Sequence, residues 1–105
     1  MKIYKKLVRD KIPDIINQKG DTAIFRTLSD EEFDSCLKQK LCEESCEFLT
    51  DSTIEELADI YEVFLAILEH TGISFDLLEQ VRYKKFLERG GFFQKIYLDS
   101  VIEQR

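Results

Sequence analysis

Four carboxylates carry the clearest chemical signal in this sequence: Glu44 with Glu47, and Glu56 with Asp59, two pairs each spaced by three residues. Residues three apart share one face of a helix, so each pair can aim at a single point in space. If the two pairs sit on consecutive helices that fold back on one another, all four side chains converge. A donor set made only of carboxylate oxygens suits a hard cation, Mg²⁺ with Mn²⁺ as the alternative, and not zinc. Cations held in this way also take phosphate oxygens, stabilise developing charge and activate water.

The surroundings of these acids strengthen the signal. From Leu41 to Val81 there are eleven acidic residues and no Lys or Arg, while the rest of the chain carries all fifteen basic residues. Phe33, Leu37, Leu41 and Phe48 form one apolar stripe, and the position that should continue it between Leu41 and Phe48 is Glu44 or Ser45, so Glu44 sits in or beside the apolar register. Glu43 flanks it one position back. Asp59 shares a face with Ile60, Val63 and Ile67, with apolar neighbours before and after. A carboxylate buried there must protonate or find a cation, and the local sequence supplies none.

Helix signals position the acids. Asp10 is expected to cap a short helix to about Lys19, with Pro13 in its first turn and Gly20 ending it. Ser29 followed by Asp30, Glu31 and Glu32 marks a second helix, running to about Thr50. Thr53-Ile54-Glu55-Glu56 repeats the capping pattern and begins a third, to about His70, closed by Gly72. That helix is apolar around nearly its whole circumference, from Leu57 to Leu68, and is expected to be the buried central one. Ser74 caps a fourth helix to about Arg89, which Gly90-Gly91 stops. Thr22–Leu28 and Phe92–Leu98 read as short strands that can pair. The expected fold is all-α: a four-helix, bundle-like single domain spanning residues 1–105, with a small two-stranded β patch.

Composition narrows the class. Hydrophobic content of 44% beside 34% charged residues is that of a folded globular chain. A net charge of −6 argues against a nucleic-acid-binding module. No apolar run is long enough to span a membrane, and the N-terminus has no secretory pattern. Cys36, Cys42 and Cys46 are odd in number and fall within one helix, which favours reduced thiols and a cytoplasmic location. With His70 they lack the spacing of a zinc site. No phosphate-binding glycine loop, dinucleotide fingerprint or Ser/Cys nucleophile with a His base is present.

Glu43-Glu44-Ser45-Cys46-Glu47 followed by Glu56-Leu57-Ala58-Asp59 resembles the EExxE…ExxD signature of the MazG-like, all-α NTP pyrophosphatase superfamily. Lys6-Leu7-Val8-Arg9-Asp10-Lys11-Ile12-Pro13, Glu56–Ile60 and Arg89-Gly90-Gly91-Phe92 resemble a compact, phosphoribosyl-ATP pyrophosphohydrolase-like branch of house-cleaning proteins. The resemblance implies hydrolysis of a nucleoside triphosphate to the monophosphate and pyrophosphate, in a homodimer or homotetramer. It makes Glu44, Glu47, Glu56 and Asp59 the Mg²⁺ ligands, and Glu43, beside Glu44, a catalytic carboxylate that orients or deprotonates water.

Lys6, Arg9, Lys84, Lys85 and Arg89 suit the oxygens of a triphosphate. The chain departs from the family pattern at two points. Only eight residues separate Glu47 from Glu56, and the stretch Val81–Phe86 lacks the asparagine that many relatives carry, so base and sugar recognition is unassigned. Two alternatives stand beside the triphosphate reading: phosphoribosyl-ATP pyrophosphohydrolase activity, and a non-catalytic helical interaction module that has kept the fold.

Overall fold

A computed structural model describes residues 1–104, and the chain divides into two compact units, Met1–Gly72 and Ile73–Arg105. The first unit holds α1 (Ile12–Gln18), α2 (Asp30–Thr50) and α3 (Ile54–Thr71); the second holds α4 (Phe75–Arg89). The protein is all-helical, and among the described residues no strand forms.

The starts of α2, α3 and α4 lie where the capping residues put them. Ser29 Oγ accepts the Glu32 N–H at 3.2 Å and the Glu32 carboxylate accepts the Ser29 N–H at 3.3 Å, a complete capping box. Arg26 closes on the same carboxylate with both nitrogens, at 2.8 and 3.2 Å. Thr53 and Ser74 cap α3 and α4 by accepting from Glu56 and Leu77. Gly72, at φ +75°, ends α3 in the left-handed conformation that glycine adopts without strain. The start of α1 differs from the expectation. Lys11, not Asp10, occupies the cap position, no side chain caps it, and the Ile12 N–H instead bonds to the Arg9 carbonyl at 3.1 Å.

The capping box has a measurable acid dependence. Hydrogen bonds from Arg26 and from Ser29 hold the Glu32 carboxyl at about 2, against an ordinary 4.5. A depressed folded-state value means a contribution fully present above the unfolded value and lost as pH falls from 4.5 towards 2. Ser29→Ala is expected to cost about 1 kcal/mol at neutral pH. Glu32→Gln should be less stable than wild type at pH 6, and that difference should shrink on acidification. Urea melts at pH 6 and pH 2.5 check both, and a gap that persists at pH 2.5 would assign it to packing.

The β patch is not observed. Thr22–Leu28 runs without a partner strand, with Ile24 88% exposed. Phe92–Leu98 is broken by a turn: the Lys95 N–H bonds to the Phe92 carbonyl at 3.2 Å and Lys95 takes a positive φ of 59°. A residue in that conformation interrupts the extended backbone a ladder needs. A lone two-stranded pair is marginal in water in any case.

Within the first unit α2 packs against α3. The three-residue connection from Asp51 to Thr53 is tightened by Asp51 N–H to Glu47 O at 2.8 Å and Ser52 Oγ to Phe48 O at 2.9 Å. The helices are antiparallel, since the start of α2 meets the end of α3. Phe33 meets the His70 ring edge-on at 5.1 Å, and Asp34 Oδ1 lies 3.4 Å from His70 Nε2. Leu37 and Val63 form the buried centre of this seam. The expectation that α3 is buried all round does not hold within the chain. Its Val63 side faces α2, while Ile54, Leu57, Tyr61 and Leu65 stay exposed, because α2 covers only one side of the helix.

Candidate metal centre

The tight connection sets the last turns of α2 beside the first turns of α3, and three of the four expected ligands meet there. Carboxylate oxygens of Glu44, Glu56 and Asp59 all lie within 4.8 Å of one another. Glu44 continues the Leu37 stripe as its spacing implies and is only 7% exposed. Glu56 is half-buried beside it, in the turn of α3 that Thr53 caps. Asp59 follows one turn later.

Glu47 is exposed and stands outside this trio, yet its charge bears on both Glu44 and Glu56. Burial pushes the Glu44 carboxyl above the ordinary range, the Glu47 and Asp59 charges push the same way, and Lys40 opposes them. Burial likewise raises Glu56, helped by Glu47, Asp59 and Glu44. Negative charge is thus concentrated beyond what the fold itself compensates.

Two cations do reach the acids, which amends the expectation that none is at hand. Lys40, one residue before the base-free stretch, places Nζ 3.5 Å from Glu44 and 3.6 Å from Glu43. Arg9 comes from the N-terminal segment: its Nη2 donates to Asp59 Oδ1 at 2.6 Å and its Nη1 lies 3.6 Å from Glu62. Asp59 is accordingly a half-exposed, paired carboxylate and not a lone buried one. Even so, Glu44 Oε2 and Glu56 Oε2 are buried and have no hydrogen-bond partner. Leaving such oxygens unpaired is costly, and a hard cation among them would satisfy both. The donor set therefore fits Mg²⁺ or Mn²⁺.

The remaining expected residues fall in three places. Glu43 is exposed on α2, tied to Glu44 through Lys40 and not directed into the trio. Lys6, on the N-terminal segment, has its Nζ 5.4 Å from the Tyr4 ring. Lys84, Lys85 and Arg89 are exposed on α4 of the second unit. On the same helix Arg82 is engaged by Glu79 at 2.6 Å. Sequence reasoning missed Glu62 and Lys40. Glu62 is three residues beyond Asp59 and so shares its face, while Lys40 is four before Glu44; both were legible from helical spacing.

No family model matches the chain, and no solved structure matches it. Over 48 residues it is 46% identical to an uncharacterized protein of Mycolicibacterium smegmatis. The matched stretch covers 46% of this chain and 49% of that protein, so the chain spans about half the length of the curated relative it matches.

Proposed function

We propose that the protein is a Mg²⁺-dependent nucleoside triphosphate pyrophosphohydrolase that releases a nucleoside monophosphate and pyrophosphate. One observation carries this reading: Glu44 is more than nine-tenths buried, its Oε2 unpartnered, within reach of Glu56, whose Oε2 is likewise unpartnered, and of Asp59. A cation joining these three carboxylates would satisfy the two unpartnered oxygens, of Glu44 and Glu56. The sequence resemblance supplies the reaction class.

Glu44, Glu56 and Asp59 would hold the ion, with Glu47 beside them adding charge. Bound Mg²⁺ supplies charge neutralisation and Lewis acidity toward the phosphate chain. Lys40 fixes the Glu44 carboxylate from one side and links it to Glu43, the carboxylate proposed to orient water. Water attacks the α-phosphorus, the α–β anhydride bond breaks, the water proton passes to a carboxylate, and pyrophosphate leaves. Lys6 and Arg9, on the N-terminal segment of the same unit, are the proposed phosphate partners.

The exposed apolar side of α3 adds a proposal about assembly. Leu41, Ile54, Leu57, Ala58, Ile60, Tyr61 and Phe64 line one open apolar depression. A second copy of the chain, as homodimer or homotetramer, would remove that surface from water.

The test of function is a panel of canonical and damaged nucleoside triphosphates with phosphoribosyl-ATP, assayed with Mg²⁺, Mn²⁺ and chelator for pyrophosphate and for orthophosphate. Pyrophosphate released with either metal and lost with chelator is expected. Orthophosphate as sole product would point to a different bond. Silence on every nucleotide, with no thermal shift from either metal, would leave the non-catalytic interaction module.

A further inference from the structure

Arg9 stands fifty residues from Asp59 in sequence, yet makes one of the shortest side-chain contacts in the protein with it, 2.6 Å from Nη2 to Oδ1. Its second nitrogen reaches Glu62, one turn further along α3. The guanidinium thus straddles the acidic face at the edge of the Glu44–Glu56–Asp59 trio. A divalent ion held by that trio would take Asp59 as a ligand. Arg9 in its present place would then set a positive charge against the ion and compete for the same carboxylate.

The two basic side chains at the centre differ in freedom. Lys40 is well packed, its side chain 21% exposed, and lies on the same helix as both its partners. The Arg9 side chain is 56% exposed and among the described residues is held by Asp59 and Glu62, while its carbonyl is anchored by the Ile12 N–H at the start of α1. Its backbone can therefore stay in place while the guanidinium turns. A planar guanidinium fork fits carboxylate and phosphate equally well, which suits it to exchange one for the other.

We propose that Arg9 is an exchangeable counter-cation: it neutralises Asp59 while no divalent ion is present, and on displacement moves to oxygens of the phosphate chain. Metal entry would thereby free the residue that helps hold the substrate, coupling the two binding events. This inference rests on the metal-centre reading above, and its signature is a pair of effects of opposite sign. Loss of Arg9 tightens the divalent ion, by removing a competitor, and weakens the phosphate chain, by removing a donor. A merely structural role would weaken both.

The experiment titrates Mn²⁺ into wild type, Arg9→Ala and Lys2→Ala, reading free Mn²⁺ by electron paramagnetic resonance. Inorganic pyrophosphate is then titrated calorimetrically into each protein loaded with Mg²⁺. Lys2→Ala removes the same charge from the same segment and serves as the control; circular dichroism checks the folds. Arg9→Ala should bind Mn²⁺ about threefold more tightly, the scale of an exposed ion pair. It should bind pyrophosphate about tenfold more weakly, the scale of a charge-assisted hydrogen bond.

Unchanged or weaker Mn²⁺ binding in Arg9→Ala, with wild type binding normally, would overturn the exchange and leave the metal centre standing. Tighter Mn²⁺ with unaltered pyrophosphate would overturn it too, as would an equal effect from Lys2→Ala. Failure of wild type and Arg9→Ala alike to bind Mn²⁺ would remove the metal centre and the exchange together.

Discussion

Replacing Glu44 by Met is expected to stabilise the metal-free protein by about 1–3 kcal/mol while abolishing its response to Mg²⁺. The reason lies in the conflict at that position. Glu44 occupies a place in the apolar stripe of α2, is almost wholly buried and carries an unpartnered oxygen, with burial and the neighbouring acids opposing its ionisation. Methionine has similar reach and no charge to desolvate. Lys40 would keep Glu43 as a partner, so the substitution does not strand it.

Wild type should gain about 2.7 kcal/mol when Mg²⁺ is supplied at a hundred times its dissociation constant, because only the folded chain assembles the trio. Glu44→Met should gain nothing measurable. Glu44→Gln keeps the shape and loses the charge, and should lower pyrophosphate release about a hundredfold or more. Urea melts with and without Mg²⁺, paired with the pyrophosphate assay, read all three. A Glu44→Met protein less stable than wild type without metal would show that Lys40 already satisfies the carboxylate. A full Mg²⁺ shift in Glu44→Gln would put the ion elsewhere.

Leu37→Ala should cost about 2–5 kcal/mol, a large part of the stability of a domain this small. Leu37 is 3% exposed at the centre of the α2–α3 seam, where its truncation removes buried contacts and leaves a cavity. Leu57→Ala is the informative companion. Leu57 is 52% exposed on α3, so within one chain the same truncation should fall within about 0.5 kcal/mol. If a second copy covers the apolar face, Leu57→Ala should cost well over that, and the melting midpoint should rise with protein concentration. Melts at two concentrations and light scattering decide the matter. A particle of 12.4 kDa with a negligible Leu57→Ala effect would sink the proposed assembly.

Local signals were readable because their physics is local. Ser29, Thr53 and Ser74 each place a side-chain oxygen one turn ahead of orphan N–H groups, so the starts of α2, α3 and α4 follow from residue type and spacing alone. Helical periodicity likewise placed Glu44 or Ser45 in the Leu37 stripe, and the packing of α2 on α3 buries Glu44 and leaves Ser45 exposed. The strands illustrate the opposite case. Thr22–Leu28 has strand-like residues, but a strand exists only if another supplies its hydrogen bonds, and Phe92–Leu98 is instead bent at Lys95.

The sequence by itself determined the helices, the acidic pairs and the faces they occupy. Each of these depends on residues within a few positions of one another. Lys40 lay within reach of Glu44 along one helix, but tertiary structure alone decided which acids meet across the two helices and which distant cation answers them. It drew Glu44, Glu56 and Asp59 together and left Glu47 and Glu43 at the exposed margin. It also laid Arg9 on Asp59, fifty positions away in sequence, where counting bases along the chain found none nearby. How much of α3 lies open was likewise hidden, since an apolar circumference states what a helix prefers to bury and not what is available to cover it.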